Sequence, residues 1–253
     1  MSTSSSVPRP SQDTSIMDGS KSAPSTAANL STPWSVESVL STLPESYPRT
    51  PPKSPLPFLH LMERLKTTKR EGWRRFHIEH GESISDHMYR MSIITMLAPP
   101  SLSAKLNIPH CTKMALAHDM AESLVGDITP RDDVAKQVGE KARREGLTMD
   151  YLCNTLLGAW HGGEPGKDIR AIFQEYEDEI TQESLFVHDV DKIELLLQML
   201  EYERRGRGDV DLSEFLGVRA KVKLDEMKEW AEQILVERDE FWKGIGKVPS
   251  DWR

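Results

Sequence analysis

With 253 residues, 38% hydrophobic and 28% charged, the chain is long enough to bury a sizeable core in one or two domains. A formal net charge of −8 excludes a general nucleic-acid polymer binder, whose footprint is a basic patch, but not a nucleotide site where a metal supplies positive charge. Two cysteines, Cys111 and Cys153, lie outside any Cys-x-x-Cys spacing; this excludes a disulfide framework or thiolate zinc site, and reduced thiols point to a cytoplasmic or nuclear setting.

No apolar run reaches the ~18 residues of a membrane helix. The N-terminus has neither the apolar segment of a secretory signal nor the basic density of a transit peptide. Residues 1–54 are dominated by Ser, Thr and Pro, too little apolar material to offset ordering entropy, and read as a disordered tail. Within it, PWSVESVLSTLP places Trp34, Val36, Val39 and Leu40 at the spacing of a short amphipathic docking helix. Thr32-Pro33, Thr50-Pro51 and Ser54-Pro55 are candidate phosphorylation sites.

The folded domain is expected over residues 55–217. Phe58, Leu61, Met62 and Leu65 predict a first amphipathic helix ending near Lys69. A polar loop, EGWRRFHIEHGE, leads to a capping pattern, Ser83 with Asp86, at the start of ISDHMYRMSIITML. His87, Met91, Ile94 and Thr95 share one face of that helix. An imidazole there reads as a satisfied core or capping group, or as a ligand. Pro99, Pro100 and Pro109 mark a breaker-rich connection.

The stretch TKMALAHDMAESLVGDITP predicts a helix over residues 112–125, capped by Thr112 and stopped by Gly126. His118, Asp119, Glu122 and Asp127 fall within ten positions of an otherwise apolar segment. Side chains three or four apart are neighbours on a helix, so Glu122 shares a face with both His118 and Asp119. Burying so many ionisable groups is costly unless they are paired or bound to metal, and a divalent ion is the simplest compensation. Residues 131–146 are charged, helical in tendency and expected at the surface. Helices follow around residues 147–160 and 169–180, separated by a glycine-rich loop. SLFVHDVDKIELLLQMLEYE is a buried helix interrupted by Asp189 and Asp191 beside His188. Asp189 and Lys192 read as solvated. Residues 218–242 form a charged closing helix, packed on the domain or at an oligomer interface. With no strand pattern and no repeat, the fold class is all-α.

HDMAESLVGDITP resembles the signature of the HD-domain metal-dependent phosphohydrolases, specifically the branch that removes phosphate from deoxynucleoside 5'-monophosphates. The resemblance covers roughly residues 56–217, a single helical bundle. ESISDH matches the position of the family's first metal histidine, and F-V-x-x-x-D-K its final metal aspartate. The resemblance therefore implies a ligand set of His87, His118, Asp119 and Asp191, with Asp189 as the fallback for the last. Such N/O ligation suits Mn, Co, Fe, Ni or Zn. It implies catalytic roles for Glu122 and Asp127, one acting on the water and the other on the leaving hydroxyl or ribose, with the assignment open. Trp73 matches a tryptophan beside the substrate, and Glu82 a residue that orients its loop. Bacterial relatives place an arginine directly before that tryptophan; here the position is Gly72, leaving Arg70, Arg74 or Arg75 as the phosphate contact. The expected activity is a 5'-deoxynucleotidase, with relatives forming homodimers. The alternatives are an HD hydrolase of a nucleoside triphosphate or cyclic nucleotide, and a metal-binding helical module without turnover.

Overall fold

The computed structural model describes residues 33–250. Residues 1–32, with most of the expected tail and Thr32 of the Thr32-Pro33 pair, and residues 251–253 lie outside the described residues. Among the described residues the regular structure is helical, and one isolated antiparallel bridge pairs Lys69 with Ser83. No helix is long and apolar enough to cross a membrane.

The organising element is α10 (Gln182–Arg205), capped by the Thr181 side chain on the Ser184 amide at 3.0 Å. At 1.5 Å per residue its 24 residues span roughly 36 Å. Phe186, Val187, Val190, Ile193, Leu196 and Met199 are fully enclosed, each worth about 1.5–3 kcal/mol of apolar burial. Around it pack α4 (Ile84–Met96), α6 (Ile108–Ala117), α9 (Glu164–Asp178) and α11 (Asp225–Gly244). The capping box expected before α4 is present: the Asp86 amide donates to Ser83 Oγ at 3.1 Å, and the Ser83 amide to Asp86 Oδ2 at 2.7 Å. α2 (Leu56–Thr67) lies against α4 through Leu65, which clusters with Ile84 and Met88. The bridge at Lys69 and Ser83 closes the base of the loop that carries α3 (Glu71–Arg74).

Three expectations are corrected. The first concerns the tail. Residues 34–54 belong to the folded unit; the expected docking helix is α1 (Val36–Leu40), closed by a Ser35/Ser38 capping box, with Val36 6% exposed, and only the disorder around it is corrected. The Ser/Thr/Pro average conceals a run of anchors: Arg144 stacks 5.4 Å over Trp34, and Tyr151 Oη donates to the Pro48 carbonyl at 2.9 Å.

The second correction concerns the helix expected over residues 112–125. It starts earlier, at Ile108, with Asn107 accepting the His110 amide at 3.2 Å, and Pro109 sits in the first turn, where it lacks no needed donor. Thr112 is no cap; its hydroxyl bonds the Ile108 carbonyl at 3.0 Å. The helix then breaks. After Ala117 the bonds become three-residue turns, Met120 to Ala117 and Glu122 to Asp119, before α7 (Glu122–Val125) resumes.

The third concerns the charged segment 131–146. It is helical only from Glu140, as α8 (Glu140–Asp150), and runs directly into a π-helical turn, Tyr151–Leu156. The closing helix likewise begins at Asp225, preceded by a 3-10 stretch, Ser213–Lys221. The expected domain limit at residue 217 falls inside that stretch, and α11 packs onto α10.

Candidate metal centre and active-site cavity

α4, the α6–α7 break and α10 deliver one cluster. His87, in the first turn of α4, is fully buried; its Nε2 lies 3.2 Å from Asp191 Oδ1 and 3.9 Å from Asp119 Oδ2. His118 Nε2 lies 3.2 Å from Asp119 Oδ2. His87, His118 and Asp191 offer ligand atoms all within 4.8 Å of one another. Neighbouring residues on a regular helix diverge by about 100°, which would aim His118 and Asp119 apart. The break after Ala117 lets both face the same point.

Hydrogen bonds fix what the imidazoles present. His118 Nδ1 donates to the Ala115 carbonyl at 3.0 Å, leaving Nε2 bare toward the cluster. His87 Nδ1 lies 2.6 Å from Glu194 Oε2, and His87 Nε2 is among five buried side-chain atoms without a hydrogen-bond partner in the described residues. Burial and Arg70 push the His87 imidazolium down, but Glu194 and Asp191 outweigh them and bring it up to about 10. Burial raises the Asp119 carboxyl, and His118, Arg70 and His87 outweigh it and hold it well below the usual range. Asp191 is held low in the same way, chiefly by His87 against burial. The cluster thus draws positive charge. Two imidazole nitrogens and two carboxylates aimed at one point fit a divalent cation of mixed N/O preference.

Asp119, His118 and Asp191 border a cavity of about 550 Å³, with His87 behind them. Glu122, 2% exposed, reaches its wall with Oε2 unpartnered. Burial, then Asp119 and Asp127, lift its carboxyl well above the usual carboxylate range. Gly126, at φ 79°, ends α7 as expected and turns the chain so that Asp127 Oδ2 accepts the Glu71 amide at 2.6 Å.

The expected substrate residues divide. Arg70 and Arg75 line the cavity: Arg70 Nη1 lies 3.2 Å from Asp119 Oδ2, and Arg75 Nη2 donates to Glu214 at 2.7 Å. Arg74 does not; its side chain is 70% exposed and paired with Glu71. Trp73 shows an edge to the cavity but is 3% exposed, its Nε1 donating to Glu82 Oε1 at 2.7 Å. Glu82 stays behind Trp73, outside the cavity lining, and burial raises its carboxyl to about 7. Asp189, held as a fallback ligand or as solvated, is neither. It is fully buried and accepts the amides of Lys223 and Leu224 at 2.9 and 2.7 Å, anchoring the start of α11. Lys141 and Glu145 of α8, Tyr176 of α9 and Glu194 of α10 were not singled out by sequence reasoning. The one signal for them was the four-residue spacing of Lys141 and Glu145, common on any charged helix.

The HD domain family model matches residues 62–231, from α2 into α11. A Schizosaccharomyces pombe protein named 5'-deoxynucleotidase hdd1 is 44% identical over 191 residues, 75% of this chain and 93% of that protein. A Saccharomyces cerevisiae protein named 5'-deoxynucleotidase YBR242W is 40% identical over 217 residues, 85% of this chain and 89% of its own. Among solved structures, HD domain-containing protein YGK1(YGL101W) aligns with a TM-score of 0.58 at 32% identity, covering 83% of this chain and 96% of that one. With the matched segment holding the whole His87, His118, Asp119 and Asp191 cluster, the chain belongs to the HD domain family.

Proposed function

We propose that this chain is a 5'-deoxynucleotidase, hydrolysing deoxynucleoside 5'-monophosphates to a deoxynucleoside and phosphate. The observation that carries this reading is the His87, His118, Asp119 and Asp191 cluster beside a cavity of about 550 Å³, in a chain whose relatives bear that activity in their names. The volume suits a ligand of nucleotide size.

These four residues would hold the metal, one of Mn, Co, Fe, Ni or Zn, which supplies Lewis-acid charge to the phosphoryl oxygens and eases deprotonation of water. Arg70 and Lys141 face the same acidic centre from opposite elements and would place the phosphate. Water attacks phosphorus, the bond to the 5'-oxygen breaks, and that oxygen takes up a proton as the water gives one up; Glu122, at the cavity wall with Oε2 unpartnered, is placed to pass it from one to the other. Asp127 anchors the α3 loop through the Glu71 amide, and the Trp73 edge and Phe215 give the nucleoside an apolar wall. Tyr89 and Met96 of α4 and Leu97 at its C-cap, exposed at 67, 57 and 62%, are apolar surface that the expected homodimer would cover.

The test is phosphate release from deoxy- and ribonucleoside 5'-monophosphates after chelation and add-back of Mn, Co, Mg or Zn. Metal-restored release confined to deoxy substrates is expected, and its loss in a His118→Ala, Asp119→Ala double variant. Unchanged release in that variant would sink the reading.

A further inference from the structure

α10 grips both ring nitrogens of His87. Asp191 and Glu194, one turn apart, stand 3.2 Å from Nε2 and 2.6 Å from Nδ1 of the same imidazole. Glu194 is fully buried, an expensive place for a carboxylate unless both oxygens are satisfied. Its second oxygen is satisfied by Arg90, whose Nε and Nη2 lie 2.9 and 2.7 Å from Oε1. Arg90 follows His87 by one turn of α4, so two residues of α4 and two of α10 form one chain, from Asp191 through His87 and Glu194 to Arg90.

Arg90 is itself immobilised further along α10. Its Nη2 donates to Gln198 at 2.9 Å and its Nη1 to Glu201 at 2.6 Å. Glu194, Gln198 and Glu201 recur at the spacing of one helix face. A planar guanidinium forked across three acceptors cannot turn, and the carboxylate it holds cannot turn either. Neither Arg90 nor Glu194 lines the cavity, so neither reaches a substrate.

We propose that Glu194, locked by Arg90, is the positioning residue of the metal centre: it forces His87 to donate from Nδ1 and so to present a bare Nε2 to the ion. The proposal rests on the metal-centre reading above. Asp191 also accepts at Nε2, 3.2 Å away, but Glu194 is the nearer at 2.6 Å, so a ring whose Nε2 faces an ion would keep its one remaining proton on Nδ1, in one orientation. Without that acceptor, part of the population carries its proton on Nε2, where it excludes the ion. Metal affinity then falls even though every ligand is retained.

The experiment is titration calorimetry of the full-length, chelator-stripped protein with Mn(II), beside the unfolding temperature of the metal-free form. Glu194→Gln, whose amide oxygen Arg90 would take so that its NH2 faces Nδ1, is expected to weaken Mn(II) binding about 10–100-fold. Arg90→Lys, which keeps the charge and loses the fork, is expected to give a smaller loss in the same direction. Asp189→Asn is the control, a buried carboxylate of the same helix that anchors α11 and not the metal. It should lower the unfolding temperature and leave Mn(II) affinity unchanged. A folded Glu194→Gln protein with wild-type affinity overturns the proposal. If that variant does not fold, wild-type affinity in Arg90→Lys overturns it instead. A wild-type chain that binds no Mn(II), Co(II) or Zn(II) would overturn both this and the metal centre. One that binds metal but hydrolyses no nucleotide would overturn the activity alone.

Discussion

Glu145 follows Lys141 by one turn on α8 and is 7% exposed, and the two are 3.5 Å apart. Burial lifts its carboxyl to about 7 despite the pull of the Lys141 ammonium. The unfolded chain releases that proton near 4.5, so between 4.5 and 7 the folded state holds a proton the unfolded state has lost. The stabilisation is complete below 4.5 and is lost as pH rises through 7, a difference on the order of 3 kcal/mol. Glu145→Gln should remove that slope, making urea unfolding at pH 5 and pH 8 more alike than in the wild type; an unaltered slope would place the titration elsewhere. At this scale the sequence was partly legible. His118, Asp119 and Glu122 announce themselves as charge inside an apolar run. Asp189 and Asp191 did not separate on composition, since two residues on a helix differ by about 200° and either direction faces apolar neighbours. The family pattern favoured Asp191, and Asp189 proved to hold two amides of another helix. Glu194 was invisible because its partners, His87 and Arg90, lie more than a hundred residues away.

Elements were legible where a local signal ended them. The Ser83/Asp86 box and the Gly126 stop both lie within one turn of the boundary they mark. The rupture of the helix at His118 has no such marker, because apolar periodicity runs on to Leu124 while the break turns His118 and Asp119 toward one point. Pro109 misled for the opposite reason, read as a breaker when it opens α6. Gly126 carries the testable consequence. At φ 79° and ψ 168° it occupies a region open almost only to glycine, while an added Cβ would meet nothing within 4 Å. The penalty of Gly126→Ala is thus conformational, about 1–3 kcal/mol in chemical denaturation. Phosphate release should fall more than stability alone requires, because the turn aims Asp127 at the Glu71 amide. A variant with wild-type stability would mean that the turn relaxes without strain.

At the scale of the molecule, the motif-bearing segment depends on a helix that carries no motif. α11 reads from the sequence as an appendage, since its stripe of Met227, Trp230, Ile234 and Phe241 signals packing and nothing else. The structure ties it to the cavity through Glu203, fully buried at the end of α10. Arg238 Nε and Nη2 reach Glu203 at 2.7 and 2.8 Å, Trp242 Nε1 at 2.9 Å, and the Leu212 amide at 2.9 Å. Arg238 also donates to Ser213 Oγ at 2.7 Å, next to Glu214 and Phe215 of the cavity wall. Arg238→Met leaves a buried carboxylate without its cation, which costs about 3–5 kcal/mol in comparable pairs. Adding Glu203→Gln removes the orphaned charge, and its one amide oxygen still accepts from either the Leu212 amide or Trp242 Nε1. The double variant should therefore be more stable than Arg238→Met alone in urea titration. With Ser213 released, KM for the nucleotide should rise in both, since neither holds the segment that seats Glu214 against Arg75 and Arg131. Equal stability of single and double variants would mean that water, not Arg238, satisfies Glu203.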